Sequence, residues 1–355
     1  MSKIINGIQQ IGIGVCDVKI VFNWYRQYLG FDILVFKDEA AANLMTQYTD
    51  KITYNRYALL ALNMLGGGGL EIWQFKDRIP ELPKDQVLLG DLGINVMKLR
   101  CKEVPDSYAI LKALDIPFQG KIKKDKASSS SHFFFADPWN NMVQLVHDSY
   151  EFTTTKSASG GVIGAIIGVS DMDVSLLFYQ HLLGYDILDA DRIGVFDDFD
   201  ILPGGKNSFR RVLLKHSERQ VGGFGELLGP TVIELIQVLD REPTKIYKNR
   251  LWGDIGFIHL CFDINGMKAL RNEAKRLKFP FTVDSSDSFD MGDAAGQFGY
   301  IEDPDGTLIE FVETHKVPIL KKLGLYINLK KRNPLKPLPK WLVKAMKIHR
   351  VKRNL

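Results

Sequence analysis

Glu71 stands between Leu70 and Ile72, and Glu310 between Ile309 and Phe311. In an extended segment this alternation turns each carboxylate to the face opposite its apolar neighbours. On an outward face such a group is an ordinary solvated strand residue. On an inward face it is a charge that needs a cation or several donors beside it. The chemistry open to such a pair is cation binding or proton transfer. His259 also lies in a strand-like run, Ile258-His259-Leu260, where an isolated histidine is commonly a satisfied core or surface group. Gln10 is neutral and easily satisfied. Cys16, Cys101 and Cys261 have no metal-ligand spacing and read as small buried hydrophobes in a reducing compartment. Gly66 to Gly69 lacks the following Lys-Ser/Thr of a phosphate-cradling loop and reads as a flexible hairpin connection.

The elements that must position these residues come as an internal repeat. Residues 15–34, VCDVKIVFNWYRQYLGFDIL, match residues 169–188, VSDMDVSLLFYQHLLGYDIL, in Asp17/Asp171, Tyr25/Tyr179, Leu29-Gly30/Leu183-Gly184 and Asp32-Ile33-Leu34/Asp186-Ile187-Leu188. Downstream, GDLGI at 90–94 matches GDIGF at 253–257, and Asp137-Pro138 matches Asp303-Pro304. The chain is therefore a duplication, and each half divides again. A strand at Ile11 to Val15 leads into an amphipathic helix, Val18 to Tyr28, stopped by Gly30, the usual helix-ending residue. Alternating strands follow at Tyr57 to Leu62 and Leu70 to Phe75. The plan recurs with a strand near Ile94 to Arg100, a helix near Ser107 to Leu114, and a last strand at Met142 to Val146. Ser128 to Ser131 reads as a mobile loop before a strand. The third and fourth units span about 162–240 and 255–313.

The order strand, Asp, helix with Tyr25, Leu29-Gly30, then extended chain closely resembles the opening of a vicinal-oxygen-chelate module. Asp303-Pro304-Asp305-Gly306-Thr307-Leu308-Ile309-Glu310 resembles the closing strand of that family, which includes glyoxalase I, bleomycin resistance proteins and extradiol dioxygenases. The likeness covers about residues 1–315. It implies an α+β fold of four βαβββ modules forming two open β-cups, with modules one and two in 1–150 and modules three and four in 151–315. A basic extension, 316–355, follows.

The resemblance also implies where a metal would be held: one ligand on the first strand of each module and one on its last. Those positions are Gln10 and Glu71, Val96 and Gln144, Gly164 and Glu234, and His259 and Glu310. If modules pair in order, neither cup has a full set. If module one pairs with four, one cup collects Gln10, Glu71, His259 and Glu310, similar to the ligand set of metal-dependent glyoxalase I. One nitrogen and three oxygens suit a divalent cation, Zn, Ni, Co, Mn or Mg. The implied activity is that of a lyase or isomerase, in which Glu310 removes a proton next to a carbonyl of a small chelated substrate and Glu71 faces it. The family's glutathione-binding positions carry Gly14, Phe75 and Ile255 here, so glutathione dependence is not expected. A metal-free, antibiotic-type binding protein is the alternative. A ring-cleaving dioxygenase would need two His and one carboxylate, and Gly164 stands where the first His would be.

The charged fraction of 25% and the hydrophobic fraction of 45% describe a globular chain of more than one domain. No apolar run is long enough to span a bilayer. The opening Met-Ser-Lys-Ile-Ile-Asn-Gly has no secretory apolar core, so a cytoplasmic location is expected. Residues 316–355 hold ten Lys, three Arg and no acid, which leaves residues 1–315 at −9 within a net +4. A basic amphipathic helix starting near Pro339 or Lys340 can lie on an anionic membrane or pack over the acidic body. No nucleic-acid motif accompanies the charge. Four modules in one chain make a monomer sufficient to build a cup.

Overall fold

The structure, a computed structural model, describes residues 2–125, 130–285, 289–290, 295–320 and 325–355. Module one comprises β1 (Ile4–Gly14), α1 (Val18–Leu29), β2 (Ile33–Ala41), β3 (Asn55–Leu62) and β4 (Gly69–Phe75). Module two has β5 (Gly93–Cys101), α2 (Val104–Lys112), β6 (Phe118–Gln119), β7 (Lys123–Lys124), β8 (Ser131–Ala136) and β9 (Met142–His147). Module three has β10 (Val162–Gly168), α3 (Met172–Leu177), β11 (Ile187–Gly194), β12 (Phe209–Lys215), α4 (Gly225–Leu228) and β13 (Val232–Val238). Module four has β14 (Gly256–Asn265), α5 (Met267–Arg276), β15 (Val283–Asp284), β16 (Phe289–Asp290), β17 (Ala295–Glu302) and β18 (Leu308–Leu320). The tail adds β19 (Leu325–Asn328) and α6 (Lys340–Lys344). No helix is long and apolar enough to cross a membrane among the described residues.

Each repeated residue has a mechanical role. Asp17 caps α1 by accepting from the Lys19 and Ile20 amides, and Asp171 caps α3 from Asp173 and Val174. Gly30 (φ 75°) ends α1 in the left-handed conformation, and Gly184 (φ 73°) takes the same conformation after the π-helical turn, Phe178–Leu182, that continues α3. Tyr25 donates to Asp137 at 2.7 Å and Tyr179 to Asp303 at 2.9 Å, all four residues buried. The tyrosine of the first module in each half thus anchors the turn before the last strand of the second. Helix α2 begins at Val104, earlier than the periodicity predicts, because Pro105 fits the first helical turn, where no amide donor is needed.

The sheets pair modules crosswise. One runs β15-β17-β18-β14-β1-β4-β3-β2, uniting modules four and one. The other runs β11-β12-β13-β10-β5-β9-β8-β6, uniting three and two. Pairing in sequence order is thereby excluded. The sequence halves are tied by the Tyr–Asp bonds, whereas the cups are each built from both halves.

Three expectations need correction. The Gly66–Gly69 tract does connect the antiparallel strands β3 and β4, but it is buried where the two sheets meet instead of forming a loose exposed loop. Gly68 exchanges backbone hydrogen bonds with Val162, and a β-carbon on Gly67 would lie 2.5 Å from the Gly161 carbonyl carbon. Close approach of two backbones is what glycine permits. Cys16 is exposed in the turn before α1, while Cys101 and Cys261 are buried. In the Ser128 to Ser131 loop, residues 128 and 129 lie outside the described residues, and Ser131 already belongs to β8.

The tail packs on its own chain. Leu338 and Val343 join Ile33, Leu62, Met64, Phe152 and Leu227 in one apolar cluster. Arg350 pairs with Asp32 at 3.0 Å and Lys340 with Glu226 at 3.4 Å. Trp341 and Ile348 stay exposed.

Candidate metal centre

Four neighbouring strands, β18, β14, β1 and β4, form the floor of the first cup. Gly12 on β1 sits opposite His259 on β14 and beside Glu71 on β4, and Cys261 is beside Glu310 on β18. Period-two alternation sends Ile11, Ile13, Leu70, Ile72, Leu260, Ile309 and Phe311 to the helix-covered core. Gln10, Glu71, His259 and Glu310 therefore face the concave side together. All four expected positions converge.

The contacts are close. His259 Nε2 lies 3.1 Å from Glu310 Oε2 and 3.2 Å from Glu71 Oε2. Gln10 Nε2 lies 2.9 Å from Glu71 Oε2 and 3.5 Å from Glu310 Oε2. The ligand atoms of Glu71, His259 and Glu310 all fall within 4.8 Å of one another. His259 is fully buried, yet among the described residues its Nε2 has no well-aligned hydrogen-bond partner. Its Nδ1 contacts the Tyr300 hydroxyl at 3.5 Å. If Nδ1 carries the proton, Nε2 turns a lone pair toward two carboxylates, an arrangement that a cation between them would reconcile. The donor set fits a divalent ion: two carboxylates, an imidazole nitrogen and, with the amide turned over, the Gln10 oxygen.

Burial pushes the Glu310 carboxyl up toward neutrality; nearby His259 opposes this and Glu71 adds to it. For His259, burial alone would lower the pKa, but Glu310 and Glu71 more than offset that and raise it. Burial, with Glu310 and Glu71 beside it, also holds Tyr300 far above the usual phenol range.

Gly12 is the enabling backbone position. A β-carbon there would stand 2.5 Å from His259 Cε1 and 2.7 Å from Nε2, so the ring lies where a side chain would be. Gly12→Val is expected to displace the imidazole and cut metal retention at least about tenfold, a typical loss when a ligand's positioning support is removed. Elemental analysis of the dialysed variant checks this, with circular dichroism as the fold control.

The walls of this cup are aromatic. Trp73 and Phe75 follow Glu71 on the same face of β4 and pack with Trp252 and Tyr300. No cation enters from the three positions expected to lack one. A β-carbon on Gly14 would meet the Asp254 carbonyl oxygen at 2.0 Å, so nothing larger fits there. Phe75 is buried edge-on against Tyr54 and Trp73, and Ile255 is buried. Tyr300, opposite Glu310 across β17 and β18, escaped sequence reasoning.

The second cup does not suit a metal. Val96, Gly164, Gln144 and Glu234 occupy the equivalent positions, but Lys98, the counterpart of Cys261, sends its ammonium between Glu234 and Gln144. Arg211 pairs with the other Glu234 oxygen and with Asp198 at 2.8 Å. Burial would raise the Glu234 carboxyl, but Arg211 and Lys98 outweigh it and hold it below the usual range. Glu234 is thus a fully paired carboxylate.

Residues 162–311 match the model of the Glyoxalase/Bleomycin resistance protein/Dioxygenase superfamily. This half of the chain belongs to that superfamily, and the whole chain has its fold. A presumed dioxygenase of Bacillus subtilis is 14% identical, with a TM-score of 0.56 over 88% of this chain and 86% of its own. Glyoxalase I of Zea mays is 15% identical, with a TM-score of 0.53 over 88% of this chain and 92% of its own. At these identities the likeness is one of fold. A sequence search of curated proteins finds no match.

Proposed function

We propose that this superfamily member is a metal-dependent lyase or isomerase of the glyoxalase-like type, acting on a small substrate that is not a glutathione conjugate. The observation that carries the reading is the buried, unbonded His259 Nε2 between the Glu71 and Glu310 carboxylates. Gln10, Glu71, His259 and Glu310 would hold the ion. When bound, a divalent ion polarises substrate oxygens and offsets negative charge that builds up next to a carbonyl.

Glu310, buried and with a raised pKa, is placed to take a proton at the carbon beside that carbonyl. Glu71, on the other side of His259, stays closer to solvent and completes the charge balance. Trp73, Phe75 and Trp252 exclude water and select a substrate with apolar bulk.

Metal analysis of the purified protein tests the reading against the metal-free binder. About one divalent ion per chain is expected, lost on His259→Ala; a chain that takes up none at saturating Zn, Ni, Co, Mn or Mg is a binding protein. Uptake should also release protons. Because His259 and Glu310 both hold their protons to higher pH than usual, affinity is expected to climb as the pH rises through neutrality. Calorimetry in two buffers of different ionisation enthalpy reads that release directly. Equal heats in both would remove the linkage.

A further inference from the structure

We propose that the second cup is a binding site for a small organic anion carrying a phosphate or carboxylate group, distinct from the candidate metal centre and independent of it. Here the concave face encloses a cavity of about 480 Å³. That volume is within the range of pockets that hold small molecules. The opposite end of the same cup is packed by Phe134, Phe199, Phe209 and Ile236, so the cavity is closed on that side.

The charge inventory favours an anion. Five cationic side chains line the cavity, Lys98, Arg192, Arg211, Lys215 and Arg219, against three carboxylates. Each carboxylate already has a cation: Glu234 has Lys98 and Arg211, Asp125 has Arg192 at 3.0 Å, and Asp148 has Arg100 at 3.1 Å. Of the cations, Lys215 is held by Asp189 and Arg211 also by Asp198, each at 2.8 Å, so the uncommitted donors are those of Lys98 and Arg219. The Lys98 ammonium has three donors and spends two, on Glu234 and Gln144. Arg219 is half-buried and has no carboxylate partner among the described residues; one of its donors goes to the Gly225 carbonyl. Donors therefore remain both on the floor and nearer the rim.

Two histidines, His216 and His132, also line this space. His216 directs Nδ1 to the Gly184 carbonyl at 2.7 Å, which leaves its buried Nε2 with no partner. His132 is 2% exposed, and its Nε2 lies 3.3 Å from the Asp198 carboxylate. Ile163, Leu213 and Val232 line the remaining wall and suit a short carbon skeleton. Where the first cup collects two carboxylates around a gap for a cation, this one presents surplus donors around a gap for an anion.

Isothermal titration of the full chain tests this at about 150 mM salt, where loose surface attraction is screened. The probe is 3-phosphoglycerate, which bears both groups. Saturable binding at one site per chain is expected. Competition by inorganic phosphate or by succinate then tells which group is read. Arg219→Gln is expected to weaken binding about tenfold or more, the scale of one lost charge-assisted bond, with the melting temperature of the free protein retained. Glu234→Gln leaves Lys98 and Arg211 without their shared carboxylate. It should lower the melting temperature, and added phosphate or 3-phosphoglycerate should restore it saturably. Absence of saturable heat with every probe would overturn the proposal. So would binding that is unchanged in Arg219→Gln.

Discussion

Glu310→Gln is expected to lower turnover roughly 10²–10⁴-fold, the usual contribution of a positioned general base. The substitution keeps the shape of the side chain and removes only its charge and basicity. Without metal, the variant should melt no lower than the parent. Burial disfavours the charged form of this group, and Glu71 is a like charge close by. Added metal should then raise its melting temperature less than it raises that of the parent, because one anionic ligand is gone. Steady-state assays on candidate small carbonyl substrates, paired with melts at several metal concentrations, separate the two effects. Full activity in Glu310→Gln would end its assignment as the base.

The second large effect lies in the other cup. Lys98→Met should destabilise the protein by roughly 3–5 kcal/mol, the cost of stranding one member of a buried ion pair. The Lys98 and Glu234 side chains are only 5% and 3% exposed, so solvent cannot replace the lost partner. Arg211 remains to hold one Glu234 oxygen, which sets the value toward the lower end. The double variant Lys98→Met/Glu234→Gln should recover part of the loss, since no stranded carboxylate is left. The Glu234 carboxyl is held below its ordinary range, so this stabilisation is complete above that range and is lost as the pH falls below it. Denaturation midpoints of the three proteins at neutral and acidic pH give the comparison. Additive losses in the double variant would mean that the two residues do not act as a pair.

Much of the fold was legible because the duplicated residues each do local work. Asp17 and Asp171 cap, Gly30 and Gly184 stop helices, and Tyr25 and Tyr179 anchor modules, so selection of residue type follows directly from backbone geometry. The first-cup quartet was legible for a different reason. The family resemblance supplied the four positions, and strand alternation supported Glu71 and Glu310, each of which stands between apolar neighbours.

Which modules share a sheet was not decided by the repeat. Both pairings satisfy the local pattern, and the choice lies in contacts such as Gly12 with His259 that are 247 positions apart in the chain. Lys98 carried a signal that went unread: it stands two residues beyond Val96 in an apolar strand, hence on the same inward face. The burial of Gly66 to Gly69 had no such signal, since a glycine tract fits both a loose turn and a tight backbone crossing.

The crosswise pairing also orders events during synthesis. Every strand of the second sheet lies between residues 93 and 238, so that half can close while the rest is still being made. The edge of β1, by contrast, waits for β14, and Glu310 reaches the ribosome exit later still. A nascent chain interrupted before β14 would possess a finished inner unit and an N-terminal strand paired along one edge alone. Competence to load a cofactor would then mark a polypeptide translated through its last module.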